Sequence, residues 1–143
     1  MIKRYKKTFL LLFQLLVAPL FFTGCSHAEE TITPFISDGC SGFPDGTLQQ
    51  QALWQRCCVI HDKSYWMGGS YEQRLAADEA LKVCVEEVGE AEIAQLMLAG
   101  VRVGGTPYLP TSFRWGYGWP YPRGYKSLTD KQSKLLLEIL KNN

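Results

Sequence analysis

The spacing of apolar residues predicts a mostly helical protein. Between residues 47 and 67, apolar and sulfur-bearing side chains recur every three or four positions, which is the period of a helix face. A helix is therefore predicted from a cap at Thr47 to about Met67, followed by two glycines that end it. Two stripes run along this helix: Leu53, Cys57, Ile60, Ser64 and Met67, and beside them Trp54, Cys58, His61 and Tyr65. A helix with two such stripes is expected to be mostly buried.

A second helix is predicted directly after the two glycines. Ser70 can cap it, Gln73 is placed to complete a capping box, and the apolar pattern continues to about Val88. The expected inner side carries Leu75, Asp78, Leu81, Val85 and Val88. Because the connection between the two helices is only a few residues long, we expect them to pack antiparallel.

The remaining segments predict two loops and two further helices. Residues 38–46 are typical of a loop because they contain glycines, a proline and two aspartates. A shorter helix is predicted over Glu90–Leu98, and the Gly-Gly-Thr-Pro sequence at 104–107 stops any continuation. Residues 107–125 are rich in proline, glycine and aromatic side chains, so no long regular element is expected there. A last amphipathic helix is predicted over Thr129–Leu140.

Residues 1–24 have the composition of an export signal. A basic stretch precedes an apolar run from Phe9 to Phe22, which is short for a spanning helix and suits a signal peptide. The sequence F-T-G-C that ends at Cys25 resembles a bacterial lipobox, so Cys25 is expected to become the lipidated first residue. The alternative is ordinary signal-peptide cleavage after Ala28.

Length and charge narrow the possible functions. The chain has 143 residues, and beyond the signal we expect a tether over residues 25–37 and a single domain over residues 38–143. The 15 lysines and arginines nearly balance the 14 aspartates and glutamates. Because a nucleic-acid-binding protein normally carries a basic surplus, no nucleic-acid partner is expected.

The cysteine count fits an oxidising compartment. The chain has five cysteines, and lipidation of Cys25 would leave four, which is enough for two disulfides. Cys57 and Cys58 are neighbours on the predicted helix, where their side chains diverge by about 100°, so a bond between them is not expected. Two pairings of these two cysteines with Cys40 and Cys84 stay open.

The segment from Cys57 to Tyr65 carries the candidate chemistry. His61 is the one histidine of the predicted domain, and Asp62 follows it directly. A second carboxylate, Asp78, lies on the neighbouring predicted helix. These are the groups needed for a general base, its orienting partner and a metal ligand. The alternative is a core histidine that is satisfied by Asp78 and has no catalytic role.

The pattern C-C-x-x-H-D-x-x-Y resembles the active-site helix of secreted phospholipase A2, and the resemblance covers residues 38–88. It implies that His61 deprotonates a water, that Asp78 orients the histidine and that Tyr65 hydrogen-bonds this aspartate. It further implies that Asp62 binds calcium together with main-chain carbonyls of the preceding loop. On this resemblance the carbonyls belong to Gly39, Ser41 and Phe43.

The cysteine pairing is implied by the same resemblance. The family motif has a further cysteine between the aspartate and the tyrosine, where this chain has Ser64. The family partner of that cysteine corresponds to Ala77, so both halves of one family disulfide are replaced together. The other family pairings correspond to Cys40–Cys58 and Cys57–Cys84.

The expected function follows from this resemblance. It implies an exported bacterial hydrolase, a periplasmic or outer-membrane lipoprotein, that uses calcium to cleave a carboxylic ester of a phospholipid at a membrane surface. A soluble periplasmic or secreted protein is the alternative for localisation. The alternative for function is a non-catalytic surface lipoprotein of the same fold that binds lipid or a protein partner.

The aromatic segment over residues 107–125 lies outside the resemblance. Trp115 and Trp119 are expected to contact lipid, because an indole ring combines an apolar body with a polar N–H. Arginines flank the segment, and a guanidinium suits phosphate, so some of these residues are expected to line the rim of the substrate entrance. The arginines are Arg102, Arg114 and Arg123. The alternative is that the aromatic side chains cover the helix pair and complete the core.

Overall fold

The computed structural model of the protein describes residues 31–142, so the predicted signal peptide over residues 1–24 and the predicted lipidation of Cys25 lie outside the described residues. Four helices and no strand are present in the described range, which confirms the mostly helical class. They are α1 (Gln55–Met67), α2 (Tyr71–Glu87), α3 (Ala91–Gly104) and α4 (Asp130–Asn142). None of these described helices has both the length and the apolar character needed to cross a membrane.

Helix α1 begins at Gln55, and the predicted start after Thr47 is wrong. The Thr47 hydroxyl accepts a hydrogen bond from the N–H of Gln50 at 3.0 Å, and the carbonyl of Asp45 accepts one from the N–H of Trp54 at 3.0 Å. These bonds use residues 47–54 to close a turn over the loop, so the helix starts only after Trp54. The predicted end at Met67 is confirmed.

Helix α2 begins where the sequence predicts. The Ser70 hydroxyl accepts from the N–H of Gln73 at 3.2 Å, and the side-chain oxygen of Gln73 accepts from the N–H of Ser70 at 2.8 Å. This is a complete capping box, and it satisfies two N–H groups that the first helical turn leaves unpaired. The connection from α1 holds Gly68 at φ 69° and Gly69 at φ 141°, a conformation that favours glycine. The antiparallel packing expected from this short connection stays a prediction.

Helix α3 ends at Gly104, six residues beyond the predicted end at Leu98. Its apolar period continues through Ala94 and Met97, which are buried, to Val101, which packs against the same core cluster. Burial on α2 therefore extends the helix until Gly104, directly before the predicted stop.

The disulfides are Cys40–Cys58 and Cys57–Cys84, which confirms the pairing that the resemblance implied. Their Cα–Cα distances are 5.0 Å and 5.7 Å, within the ordinary range for a disulfide. The first bond ties the loop over residues 38–46 to α1, and the second ties α1 to α2. Disulfides of this kind indicate an oxidising, extracytoplasmic setting.

Trp115 and Trp119 are buried, with 2% and 1% of their surface exposed, so the prediction that they contact lipid is wrong. The indole of Trp119 donates to the carbonyl of Met67 at 2.7 Å, and that of Trp115 donates to the carbonyl of Gly69 at 3.0 Å. The aromatic segment therefore satisfies carbonyls that α1 leaves unpaired at its C-terminal end.

The N-terminal segment and α4 complete a second hydrophobic cluster, which is built around Trp66 and Trp119. The N–H of Thr33 donates to the carbonyl of Gly118 at 2.8 Å, and the indole of Trp66 donates to the carbonyl of Thr33 at 2.8 Å. Residues 31–37, expected to belong to a tether, therefore pack along the helical fold. Leu136 of α4 packs in the same cluster, which contains Trp66 and Trp119.

Two neighbouring leucines test the docking of α4. We expect Leu136→Ala to lower the free energy of unfolding by about 2–5 kcal/mol, because its fully buried side chain would leave a cavity among the tryptophans. Leu137→Ala is the matched control, since 54% of Leu137 is exposed and its loss should change the stability by less than about 0.5 kcal/mol. Urea unfolding measures both values. Equal effects would contradict the docked position of α4.

Candidate active site

The carboxylate of Asp78 is the centre of the candidate site. It is 0% exposed, and its Oδ1 accepts hydrogen bonds from the hydroxyl of Tyr65 at 2.7 Å and from Nε2 of His61 at 3.1 Å. His61 and Tyr65 are four residues apart on α1, so both side chains lie on the face that meets α2. The structure thus brings together the three residues that the sequence assigned to catalysis.

The contact with Asp78 defines which nitrogen of His61 can react. A carboxylate accepts hydrogen bonds, so Nε2 carries the proton in this contact and Nδ1 carries the lone pair. No group of residues 31–142 forms a hydrogen bond with Nδ1. Only 7% of His61 is exposed, and this residue lines a pocket. Nδ1 is therefore available to a molecule that enters the pocket.

Tyr65 is held as a hydrogen-bond donor. Burial raises the pKa of its hydroxyl well above the ordinary value, and the negative charge of Asp78 raises it further. Its ring lies 4.1 Å from that of His61 between centroids and meets Trp115 edge to face at 5.1 Å. Tyr65 therefore stays neutral and fixes one lone pair of Asp78 while it packs against the imidazole.

Two arginines reach the same carboxylate, and sequence reasoning missed this role for both. Nε of Arg102 lies 3.0 Å from Oδ2 of Asp78 in an ion pair that lacks hydrogen-bond geometry, and Nε of Arg74 lies 3.9 Å away. Arg74 is four residues before Asp78 on α2, a spacing that could have indicated the pair. Arg102 comes from α3, outside the stretch that resembles a known family.

Two of the arginines near the aromatic segment make contacts inside the protein. Arg102 pairs with Asp78. Arg114 is buried and donates to the carbonyl of Trp119 at 2.6 Å. Each guanidinium is directed into the fold because it satisfies a carboxylate or a carbonyl that has no access to water.

The loop over residues 38–46 is braced from within. The carboxylate of Asp45 accepts from the N–H of Cys40 at 2.8 Å and from the side chain of Gln55 at 2.9 Å. The hydroxyl of Ser41 donates to the carboxylate of Asp38 at 2.7 Å. Asp45 thus holds the loop against the start of α1 with both of its oxygens.

Asp62 faces this loop from α1. It is half-buried, and its Oδ2 accepts a hydrogen bond from the hydroxyl of Ser37 at 2.6 Å. Burial raises the pKa of Asp62, and the negative charges of Asp38 and Asp45 add to this rise against the lowering effects of Ser37 and His61. The raised pKa therefore reflects mainly the burial of Asp62, with smaller contributions from the two neighbouring carboxylates.

A pocket of about 310 Å³ joins the catalytic candidates to the loop. His61, Asp62 and Tyr65 line it together with residues 39–43. The rest of the wall is mostly apolar and includes Leu81, Leu96, Met97, Val101 and Phe113. The volume and lining are those of a site for a small or chain-like apolar molecule.

The donors that could hold a metal are mainly backbone oxygens. Residues 31–142 contain no cluster of three or more His, Cys, Asp or Glu side chains that could bind one. The carbonyl of Cys40 accepts a hydrogen bond from the N–H of Phe43 at 2.9 Å, whereas within the described range those of Gly39, Ser41 and Phe43 accept none. These carbonyls and the carboxylate of Asp62 are hard oxygen donors, the type of ligand that calcium prefers.

Comparison with known proteins gives no match: no protein-family model, curated protein or solved structure is similar to this chain. The resemblance to secreted phospholipase A2 therefore stands only on residues of this chain, which are the C-C-x-x-H-D-x-x-Y pattern, Asp78 and the paired positions Ser64 and Ala77. What the site does must be inferred from its own geometry.

Substitutions at two adjacent glycines test how closely the end of α3 approaches Tyr65. A Cβ at Gly105 would overlap Oη and Cε1 of Tyr65, so Gly105→Ala should displace the tyrosine and lower the stability by about 1–3 kcal/mol. At Gly104 the nearest atom to an added Cβ is Cε2 of Phe113 at 4.0 Å. Gly104→Ala should be neutral or stabilise by about 0.4–1 kcal/mol, because it restricts the unfolded chain. Urea unfolding compares the two, and a loss shared by both variants would contradict the close approach.

Proposed function

We propose that the protein is an exported, calcium-dependent hydrolase that cleaves a carboxylic ester of a phospholipid, as in the phospholipase A2 class. One observation carries this proposal: His61 is held by the buried Asp78 through Nε2 and lines a mostly apolar pocket, and its Nδ1 has no hydrogen-bond partner among residues 31–142. This is the geometry of a general base that acts beside an apolar substrate. The two disulfides support a setting outside the cytoplasm.

His61 would act on a water molecule in the pocket. Nδ1 takes a proton from the water as its oxygen forms a bond with the carbonyl carbon of the ester. Asp78 stabilises the resulting imidazolium through Nε2, and the proton then passes to the leaving alcohol oxygen as its bond to the acyl carbon breaks. A positioned general base of this kind contributes about 10²–10⁴ in rate.

The loop and Asp62 fit a calcium ion. Asp62 and the carbonyls of Gly39, Ser41 and Phe43 would hold it, and the neighbouring acidic side chains favour a cation at this place. Bound calcium would supply an electrophile that polarises the ester carbonyl and stabilises the negative charge developing on its oxygen. The Cys40–Cys58 bond supports this use of the loop, because it fixes the loop three residues before His61 on α1.

The apolar wall accounts for a lipid substrate. Leu96, Met97 and Val101 of α3, with Leu81 of α2 and Phe113, offer an acyl chain a surface shielded from water. Each methylene buried there contributes about 0.8 kcal/mol. The same lining would reject the charged headgroup, which therefore stays towards the solvent.

The catalytic role of His61 is tested by His61→Gln. Glutamine keeps an N–H for Asp78 but removes the base, so we expect calcium-dependent release of fatty acid from mixed phospholipid vesicles to fall by at least about 10²-fold. Circular dichroism and urea unfolding check that the variant is folded. Release that persists in the folded variant, or in excess chelator, would contradict the mechanism. Binding of vesicles by a wild-type protein that releases nothing would favour the non-catalytic alternative.

The calcium role of Asp62 is tested by Asp62→Asn. At a calcium concentration 100 times its dissociation constant, a single site stabilises the wild-type fold by about 2.7 kcal/mol. The substitution removes the only side-chain charge of the donor set, so most of this stabilisation should disappear. Glu79→Gln is the matched control, because Glu79 is an exposed acid of α2 that pairs with Lys82. Equal calcium stabilisation of Asp62→Asn and the wild type would contradict the assignment.

A further inference from the structure

We propose that Arg102 of α3 is a positioning residue that fixes the Asp78 carboxylate so that this carboxylate can orient His61. The inference rests on the proposed function for its catalytic meaning, and it adds a residue from a helix that the phospholipase resemblance does not reach. The carrying observation is the 3.0 Å approach of Nε of Arg102 to Oδ2 of Asp78.

The surroundings of Asp78 require a compensating charge. The carboxylate is fully buried, and an unpaired ion in that position costs several kcal/mol. The hydroxyl of Tyr65 and the imidazole of His61 both donate to Oδ1, so neither satisfies the other oxygen. Among the described residues, Oδ2 forms ion pairs with the guanidinium groups of Arg74 and Arg102 within 4 Å.

The guanidinium of Arg74 donates its hydrogen bonds to groups other than Asp78. Its Nε donates to the Tyr65 hydroxyl at 3.1 Å and its Nη1 donates to the hydroxyl of Tyr125 at 2.7 Å. Nη2 donates to the carbonyls of Val101 and Arg102 at 2.7 and 2.9 Å. Arg74 thus binds the C-terminal end of α3, where the helix dipole favours a cation. Arg74 therefore holds the part of α3 that carries Arg102, and Arg102 makes the closer contact with Asp78.

Arg102 is itself held at two points. Besides the ion pair, its Nη2 donates to the carbonyl of Leu75, one turn before Asp78 on α2, at 3.1 Å. A guanidinium fixed in this way restricts the rotation of the carboxylate about χ2. With Oδ2 held by Arg102, Oδ1 remains directed at Nε2 of His61, which leaves Nδ1 without a bond to Asp78. Without Arg102, the carboxylate loses the partner that defines which oxygen faces the imidazole.

Arg102→Gln and Arg102→Lys test this role, with Arg56→Gln, an exposed arginine of α1, as the matched control. The first readout is the tautomer of neutral His61, observed by ¹⁵N NMR of the ring in each folded protein. We expect the Nε2–H form in the wild type, Arg56→Gln and Arg102→Lys, and a mixture of tautomers in Arg102→Gln. The second readout is kinetic: kcat should fall about tenfold or more in Arg102→Gln with KM little changed, and Arg102→Lys should restore most of it.

A folded Arg102→Gln protein with the wild-type tautomer and kcat would overturn the proposal. If that variant does not fold, the ion pair is tested with Asp78→Asn, by comparing the NMR resonance of the Arg102 Nε–H group with that of the wild type. This resonance should shift strongly while that of Arg56 stays in place, and an unchanged resonance would overturn the ion pair. The tautomer measurement needs no turnover, so it still decides the role of Arg102 if the wild type hydrolyses no ester. That inactivity would count against the proposed function alone.

Discussion

The burial of one carboxylate, Asp78, constrains how three helices meet. Asp78 has no exposed surface, so its charge needs polar partners inside the protein. An unpaired buried charge lowers the free energy of unfolding by several kcal/mol. Helix α1 supplies His61 and Tyr65, α2 supplies Arg74, and α3 supplies Arg102. These contacts stabilise the assembly and also orient the imidazole towards the pocket. The same interaction therefore serves the fold and the candidate chemistry, and a change at any of its partners is expected to affect both.

Local signals in the sequence predicted several elements around the candidate site correctly. The capping box of Ser70 and the glycines after Met67 depend on neighbouring residues, so they can be read from the chain itself. The cysteine pairing was implied by a family pattern in which two replaced positions, Ser64 and Ala77, agree with each other. The helical period and the short connection placed His61 and Asp78 on neighbouring helices. Apart from the cysteine pairing, which depended on the family pattern, these predictions depend on signals between neighbours along the chain.

Most of the errors have the opposite property, because they involve a partner that is distant in the sequence; the start of α1 is the exception, since the competing turn is local. The start of α1 after Thr47 failed because a turn over the loop competes with the helix, and α3 passes Leu98 because α2 buries its extension. Trp119 carries an amphipathic ring typical of a lipid contact, yet it donates to a carbonyl 52 residues away. Arg102 pairs with a carboxylate on another helix for the same reason. The sequence indicates that a polar atom needs a hydrogen-bond or ion-pair partner, but the tertiary structure determines which group this partner is.

The central claim is that a water activated in this pocket attacks an acyl carbon. Hydrolysis of a phospholipid in ¹⁸O-labelled water with calcium, followed by mass spectrometry of both products, tests it most directly. The account predicts one ¹⁸O atom in the released fatty acid and none in the lysophospholipid, because the oxygen of the water becomes part of the carboxylate. Label in the lysophospholipid, or no release by a folded wild-type protein that binds calcium, would contradict it.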